Sequence, residues 1–183
     1  MSVEQSVTGV ERFFGEDDII VSKTDLSGRL TYANKIFLDI SGYTEKEVLG
    51  QQHSLIRHPY MPRTIFKLLW ETIESGNEIF AYVNNRCKNG DHYWVYAHVT
   101  PSWGRDGKVN GYHSNRRVPD HEILKQYVIP LYDKIRAAEK SVANRKDGLK
   151  AGVEVVESLL AERGKKYDEF IATLGQKQRR GFR

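Results

Sequence analysis

An α+β domain is the fold class this sequence predicts: one five-stranded antiparallel sheet, short helices on one face, and a C-terminal helical extension. Three observations lead there. Strand-like runs rich in β-branched and aromatic residues fill 18–33 and 78–118, punctuated by turn signals. Short apolar stretches at helical spacing lie between them, and beyond Pro119 the pattern is helical throughout.

Composition sets the bounds. A chain of 183 residues, 39% hydrophobic and 28% charged, is long enough for one ordinary domain with an appendage. Cys87 is the single cysteine, which excludes an intramolecular disulfide and a Cys-based zinc site. No apolar run approaches the roughly 18 residues of a membrane span, and no signal-peptide pattern opens the chain. The sequence therefore reads as soluble and cytoplasmic. Its net charge is +4. Residues 1–119 balance 14 Lys+Arg against 14 Asp+Glu, and 120–183 hold 14 against 10. Lys177, Arg179, Arg180 and Arg183 make a solvated basic tail, so nucleic acid is not an expected partner. The expected divisions are an N-terminal cap at 1–15, a main domain at 16–119, helices at 120–175 and the tail at 176–183.

Val10, Phe13 and Phe14 are spaced as one side of a short helix. Asp17–Ser22 reads as a buried strand, Asp25–Arg29 as a turn around Gly28, and Leu30–Ala33 as the returning strand of a hairpin. Asn34 begins a helix with Phe37 and Ile40 inward, stopping at Ser41-Gly42-Tyr43. Thr44-Glu45-Lys46-Glu47 has capping-box form and starts a second helix that ends at Gly50. Arg63–Glu74 is an amphipathic helix through Ile65, Phe66, Leu69, Trp70 and Ile73.

The period then changes to two. Glu78–Arg86 and His92–Thr100 flank Lys88-Asn89-Gly90-Asp91, a hairpin signal. Tyr93, Val95, Ala97 and Val99 share one face; His92, Trp94, Tyr96 and His98 share the other. A last strand covers Val109–Val118. Further on, Ile123, Tyr127, Leu131 and Ile135 recur every four residues, and Pro130 predicts a kink. Leu149, Val153, Val156 and Leu160 have the spacing of a helix–helix seam, Gly164 fits a C-cap, and Tyr167–Leu174 closes the series. Helices this short need packing partners, in a bundle, a hairpin or a dimer.

The stretch Ser54–Pro62 stands out chemically. Arg57 and His58 lie in a loop stiffened by Pro59 and Pro62, which bias His58 and Met61 to extended backbone. Such a loop can hold Arg57 against an anionic group through paired charge-assisted bonds, or place it in an ion pair. No Walker loop, Ser/His/Asp set or paired carboxylates stand out, so an enzyme is not expected.

With Asn34, Ser41-Gly42-Tyr43-Thr44 and Lys88-Asn89-Gly90-Asp91 in view, the chain resembles the PAS fold. Arg57-His58-Pro59, Met61-Pro62, Asn85-Arg86, Lys88–Val95 and Pro130-Leu131-Tyr132 narrow the resemblance to the sensor domain of bacterial aerotaxis receptors, over roughly 15–135. It implies non-covalent FAD, redox or oxygen sensing, and signalling to chemotaxis or other signalling proteins in aerotaxis or energy taxis. It assigns cofactor contacts to Arg57, His58, Asn34, Asn85, Tyr93, Trp70, Tyr60 and Tyr82. An amide side chain suits the flavin's uracil-like edge, while a helix N-cap is the structural reading for Asn34. Phe66 and Trp70 suit a core equally well. Two positions depart from the family: Tyr60 replaces an acid, and Ile79 a tryptophan. Tyr60 or Phe80 would supply stacking area instead. Cys87 does not match the photoactive cysteine of flavin light sensors and reads as a strand-end thiol. The receptor's membrane anchor and signalling coiled coil are not in this sequence, so signalling through a partner, as a homodimer, is expected. Haem or another small ligand, and a cofactor-free dimerisation adaptor, are the competing readings.

Overall fold

The computed structural model describes residues 6–175, which divide into two compact units at Pro119/Asp120. In the first unit β1 (Ile20–Thr24), β2 (Leu30–Ala33), β3 (Ile79–Arg86), β4 (His92–Trp103) and β5 (Val109–Arg117) form one antiparallel sheet, ordered β2-β1-β5-β4-β3. The helices α1 (Lys35–Ser41), α2 (Glu45–Val48) and α3 (Arg63–Glu74), with a 3₁₀ turn at His53–Ile56, all fall between β2 and β3.

Local chemistry explains the boundaries. The Asp25 carboxylate accepts from the Ser27 and Arg29 amides and the Ser27 hydroxyl, closing the β1–β2 turn. These bonds hold its pKa below the ordinary range. Gly42 ends α1 in the left-handed conformation at φ 75°. The Glu47 carboxylate accepts from the Thr44 amide and hydroxyl and pairs with Lys88 at 2.5 Å. Lys88, followed by the Thr44 bonds, pulls the Glu47 pKa down to about 2. The predicted Asn-Gly hairpin is a longer loop, Cys87–Asp91, in which the Gly90 amide donates to the Cys87 carbonyl. β4 continues three residues past its predicted end, through Pro101. Its partner β3 stops at Ile79, opposite Val99, so the proline costs no ladder bond on that side.

One N-terminal expectation is corrected. Residues 8–12 are extended, not helical: the Thr8 amide donates to Gly90, the Arg12 amide to His92, and His92 donates back to Val10. Open backbone groups at the end of the β3–β4 ladder outweigh the weak helical spacing of Val10, Phe13 and Phe14. The sheet edges are covered in the same way. The Leu30 amide on β2 donates to Gln51, and the β3 edge carries an Arg57–Asn85 bridge and an Asn84 amide bond to the Met61 sulfur.

The second unit comprises α4 (His121–Ile123), a π-helical turn (Leu124–Val128), α5 (Ile129–Lys140), α6 (Arg145–Arg163) and α7 (Tyr167–Ala172). Pro130 lacks an amide, and the irregularity it predicts takes the form of the π turn just before it. The buried face lies one position on from the predicted Ile123, Tyr127 and Leu131. Leu124, Val128, Tyr132 and Ile135 are buried, whereas Tyr127, expected inside, is exposed. In α6 the seam centres on Gly148, Gly152 and Val156, with Leu149, Val153 and Leu160 half-buried beside it. Gly164 caps α6 at φ 61°, as predicted.

Candidate ligand site on the inner face of the sheet

Because opposed residues of an antiparallel ladder point the same way, the register defines the sheet's two faces. Tyr112, Ser114 and Arg116 of β5 pair with Thr24, Ser22 and Ile20 on β1, and with Pro101, Val99 and Ala97 on β4. Val95–Val83 and Tyr93–Asn85 extend the same face onto β3. The helices cover this face: Trp70 of α3 meets the Tyr112 ring edge-on at 5.6 Å, and Arg116 lies over the Phe37 ring of α1 at 5.7 Å.

Arg116 is at its centre and is only 3% exposed. Its Nη2 donates to the Ser22 Oγ at 2.6 Å and to the His53 Nε2 at 2.6 Å. His53, in the 3₁₀ turn, therefore aims its ring inward as an acceptor. Burial and then the Arg116 charge push the His53 pKa down to about 3, so the ring is neutral. Burial lowers Arg116 itself to about 10, which leaves it charged at neutral pH. Among the described residues no carboxylate pairs with it.

On this one face Arg116 Nη1 and the hydroxyls of Ser114 and Thr24 are buried with no protein partner among the described residues, and Asn85 Nδ2 and the Tyr93 hydroxyl, opposite each other on the β3–β4 pair, have only each other, without a well-formed hydrogen bond. Burial drives the Tyr93 phenol well above its ordinary pKa, with the Arg116 charge pulling the other way. Both groups keep their ordinary charge at neutral pH. An unmet buried polar group costs about 1–3 kcal/mol, so a cluster of them makes this face the candidate ligand surface.

The sequence-predicted residues distribute unevenly around this centre. Asn85 and Tyr93 are opposite each other on it. Arg57 is tied to the β3 edge through its bridge to Asn85, and its guanidinium lies 4.1 Å from the centroid of the Phe66 ring. His58 is buried; its Nδ1 accepts the Tyr60 amide at 3.2 Å, and Tyr60 itself is exposed. Asn34 is the N-cap of α1: its Oδ1 accepts from the Phe37 and Val21 amides and its Nδ2 donates to the Ile19 carbonyl. Trp70 packs at the far end of the face, against Tyr112 and the Gly28 turn. Tyr82 is on the opposite face, 4.8 Å from the Tyr96 ring. Cys87 is buried, with its Sγ bonded to the Ile40 carbonyl, and burial raises the thiol to about 11.

Arg116, His53, Ser22, Ser114 and Thr24 escaped the sequence reading. A signal for two of them existed. Once Tyr93, Val95, Ala97 and Val99 are assigned inward, antiparallel pairing puts alternate β5 residues inward too, so a polar Tyr-x-Ser-x-Arg series there demanded explanation.

Residues 30–115 match the PAS-fold family. The chain is 42% identical over 142 residues to the aerotaxis receptor of Escherichia coli, covering 77% of this chain and 28% of the receptor. It is 26% identical over 152 residues to the biofilm dispersion protein BdlA of Pseudomonas aeruginosa, covering 82% of this chain and 34% of that protein. The chain thus spans about a third or less of both relatives. Among solved structures, a light-oxygen-voltage domain studied with a flavin analogue superposes with a TM-score of 0.54 at 19% identity, over 63% of this chain and 87% of that one. Residues 30–115 thus carry a PAS fold, and the chain is similar in sequence to part of an aerotaxis receptor.

Proposed function

We propose that this PAS domain binds FAD non-covalently against the inner sheet face and reports redox state, and with it oxygen level, to a signalling protein in aerotaxis or energy taxis. The observation that carries the reading is the group of buried polar atoms around Arg116 that lack a well-formed protein hydrogen bond. Their chemistry fits a flavin ring. Its uracil-like edge is rich in acceptors; Arg116 and Asn85 present donors, and the hydroxyls of Tyr93, Ser114 and Thr24 serve in either sense. The ends of the same face, at Phe37 and Trp70, offer apolar and aromatic surface. On the inner face the histidine is engaged by the protein itself, His53 by Arg116, which favours flavin over haem there.

When bound, a flavin supplies a charge that changes with its redox state. Arg116, Asn85 and Tyr93 are the residues that would orient the ring edge and respond to that charge. Arg116 is one residue from the end of β5 and four before Asp120, the N-cap of α4. A response at Arg116 thus has a short covalent route into the helices. A difference of about 1.4 kcal/mol between two helix arrangements shifts their ratio tenfold, and one rearranged bond to a charged group is of that order. No catalytic step is assigned to the domain. Its output is contact with a partner protein, made by a homodimer in the cytoplasm.

Purification of the full chain and its absorption spectrum test the binding. The two bands of oxidised flavin support it, whereas a Soret band, or a colourless protein that takes up no FAD, contradicts it. Anaerobic reduction of the loaded protein should change amide hydrogen exchange within 120–175; unchanged exchange there overturns the coupling.

A further inference from the structure

A guanidinium removed from water costs several kcal/mol unless an opposite charge compensates it. Arg116 is removed from water and meets only neutral acceptors: the Ser22 hydroxyl and the His53 imidazole. Both engage Nη2, which leaves Nη1 as a buried donor with no protein partner. The charged groups that could have neutralised it inside the protein do not. Tyr93 is held as a neutral phenol by burial, and His53 as a neutral imidazole. The inner face thus carries one uncompensated positive charge, held by Ser22 and His53 through Nη2 and unpaired at Nη1.

We propose that Arg116 is the charge-matching residue of the ligand site: it favours a ligand that bears or acquires negative charge, and in the flavin-loaded protein it raises the reduction potential of the bound ring. The second half rests on the flavin reading above. Reduction by an external reductant such as dithionite delivers two electrons and one proton to the ring, leaving one negative charge on it. That charge develops beside a guanidinium already desolvated and aimed by Ser22 and His53, so its attraction is poorly screened by water. The oxidised ring, which is neutral, gains only a hydrogen bond from the same group. Arg116 therefore binds the reduced ring more tightly than the oxidised one.

The test is the midpoint potential of the flavin-loaded protein, measured spectroelectrochemically beside free flavin in the same buffer. The wild type should bind reduced flavin at least tenfold more tightly than oxidised, placing the bound potential about 30 mV or more above that of free flavin. Arg116→Met should lose at least tenfold of that preference, a fall of about 30 mV or more, and Arg116→Lys should retain most of it. A bound potential at or below that of free flavin overturns the proposal, as does a Met variant with the wild-type potential. If the Met variant does not fold, the wild-type measurement alone decides. Failure to bind flavin at all is a different result, because it removes the reading on which the potential depends.

Discussion

The Nη2 of Arg116 lies 2.6 Å from the Nε2 of His53, a contact that requires the histidine to be neutral and to accept. Folding therefore depends on pH. The His53 pKa falls from 6.5 to about 3 on folding, so between those values the unfolded chain binds the extra proton. Stability from this group is complete above about pH 6.5 and is lost as pH falls, at up to about 1.4 kcal/mol per unit. Urea midpoints at pH 7.5, 6 and 5 should drop progressively in the wild type and much less in His53→Gln. The exposed carboxylates of Asp25 and Glu47, also lowered by folding, titrate further down; His113, lowered by burial, adds a loss of the same sign, so the difference between the wild type and His53→Gln is what isolates His53.

Ser22 is 1% exposed and accepts the Arg116 bond at 2.6 Å. Ser22→Ala leaves a charged donor short of a partner and should cost about 1–3 kcal/mol in urea unfolding of the flavin-free protein. An unchanged midpoint would show that the contact carries no weight.

Tyr93→Phe should separate stability from binding. Its hydroxyl is buried with only the Asn85 amide opposite it and no well-formed bond, so its removal should change the stability of the flavin-free protein by no more than about 1 kcal/mol. The same change should weaken FAD binding about tenfold in a fluorescence titration, because one ligand bond is lost. A marked loss of stability would mean that the hydroxyl serves the fold.

Gly111 marks where β5 passes closest to the end of β1: a Cβ there would lie 2.3 Å from the Thr24 carbonyl oxygen. Backbone cannot yield as a side-chain tip does. Gly111→Ala should therefore destabilise by about 1–3 kcal/mol, read as a lower thermal midpoint.

Cys87 should be chemically silent. A thiol moved from 9.0 to about 11 carries about a hundredfold less thiolate near neutral pH, and the residue is buried. Alkylation by iodoacetamide should be at least a hundredfold slower in the native protein than in urea. Comparable rates would contradict the burial.

The order of elements was legible because β-branched alternation, a capping box and Gly-containing turns each act within a few residues. The Asn34 cap and the inward series Tyr93, Val95, Ala97 and Val99 were readable for that reason. Arg116 was not, since its meaning depends on β5 inserting between β1 and β4, a pairing across more than ninety residues to Ser22 and Ile20. Tyr82 shows the converse. Its residue type suits a stacking role, but only the strand register reveals that it faces away from Asn85 and Arg116. The N-terminal segment was misread because its conformation comes from the strand ends it covers and not from its own spacing. After Asp120 the buried face keeps a four-residue spacing through Leu124, Val128 and Tyr132, but its phase is one residue on from the Ile123, Tyr127 and Leu131 series, which the spacing alone does not distinguish.

Titration of the full-length, flavin-free protein with FAD, followed by absorption and flavin fluorescence in the wild type and in Asn85→Ala, tests the central claim most directly. The account predicts saturable uptake by the wild type, with the two oxidised-flavin bands retained through gel filtration, and binding weakened tenfold or more in the variant. Absence of uptake by a folded wild-type protein, or equal uptake by both, would contradict it.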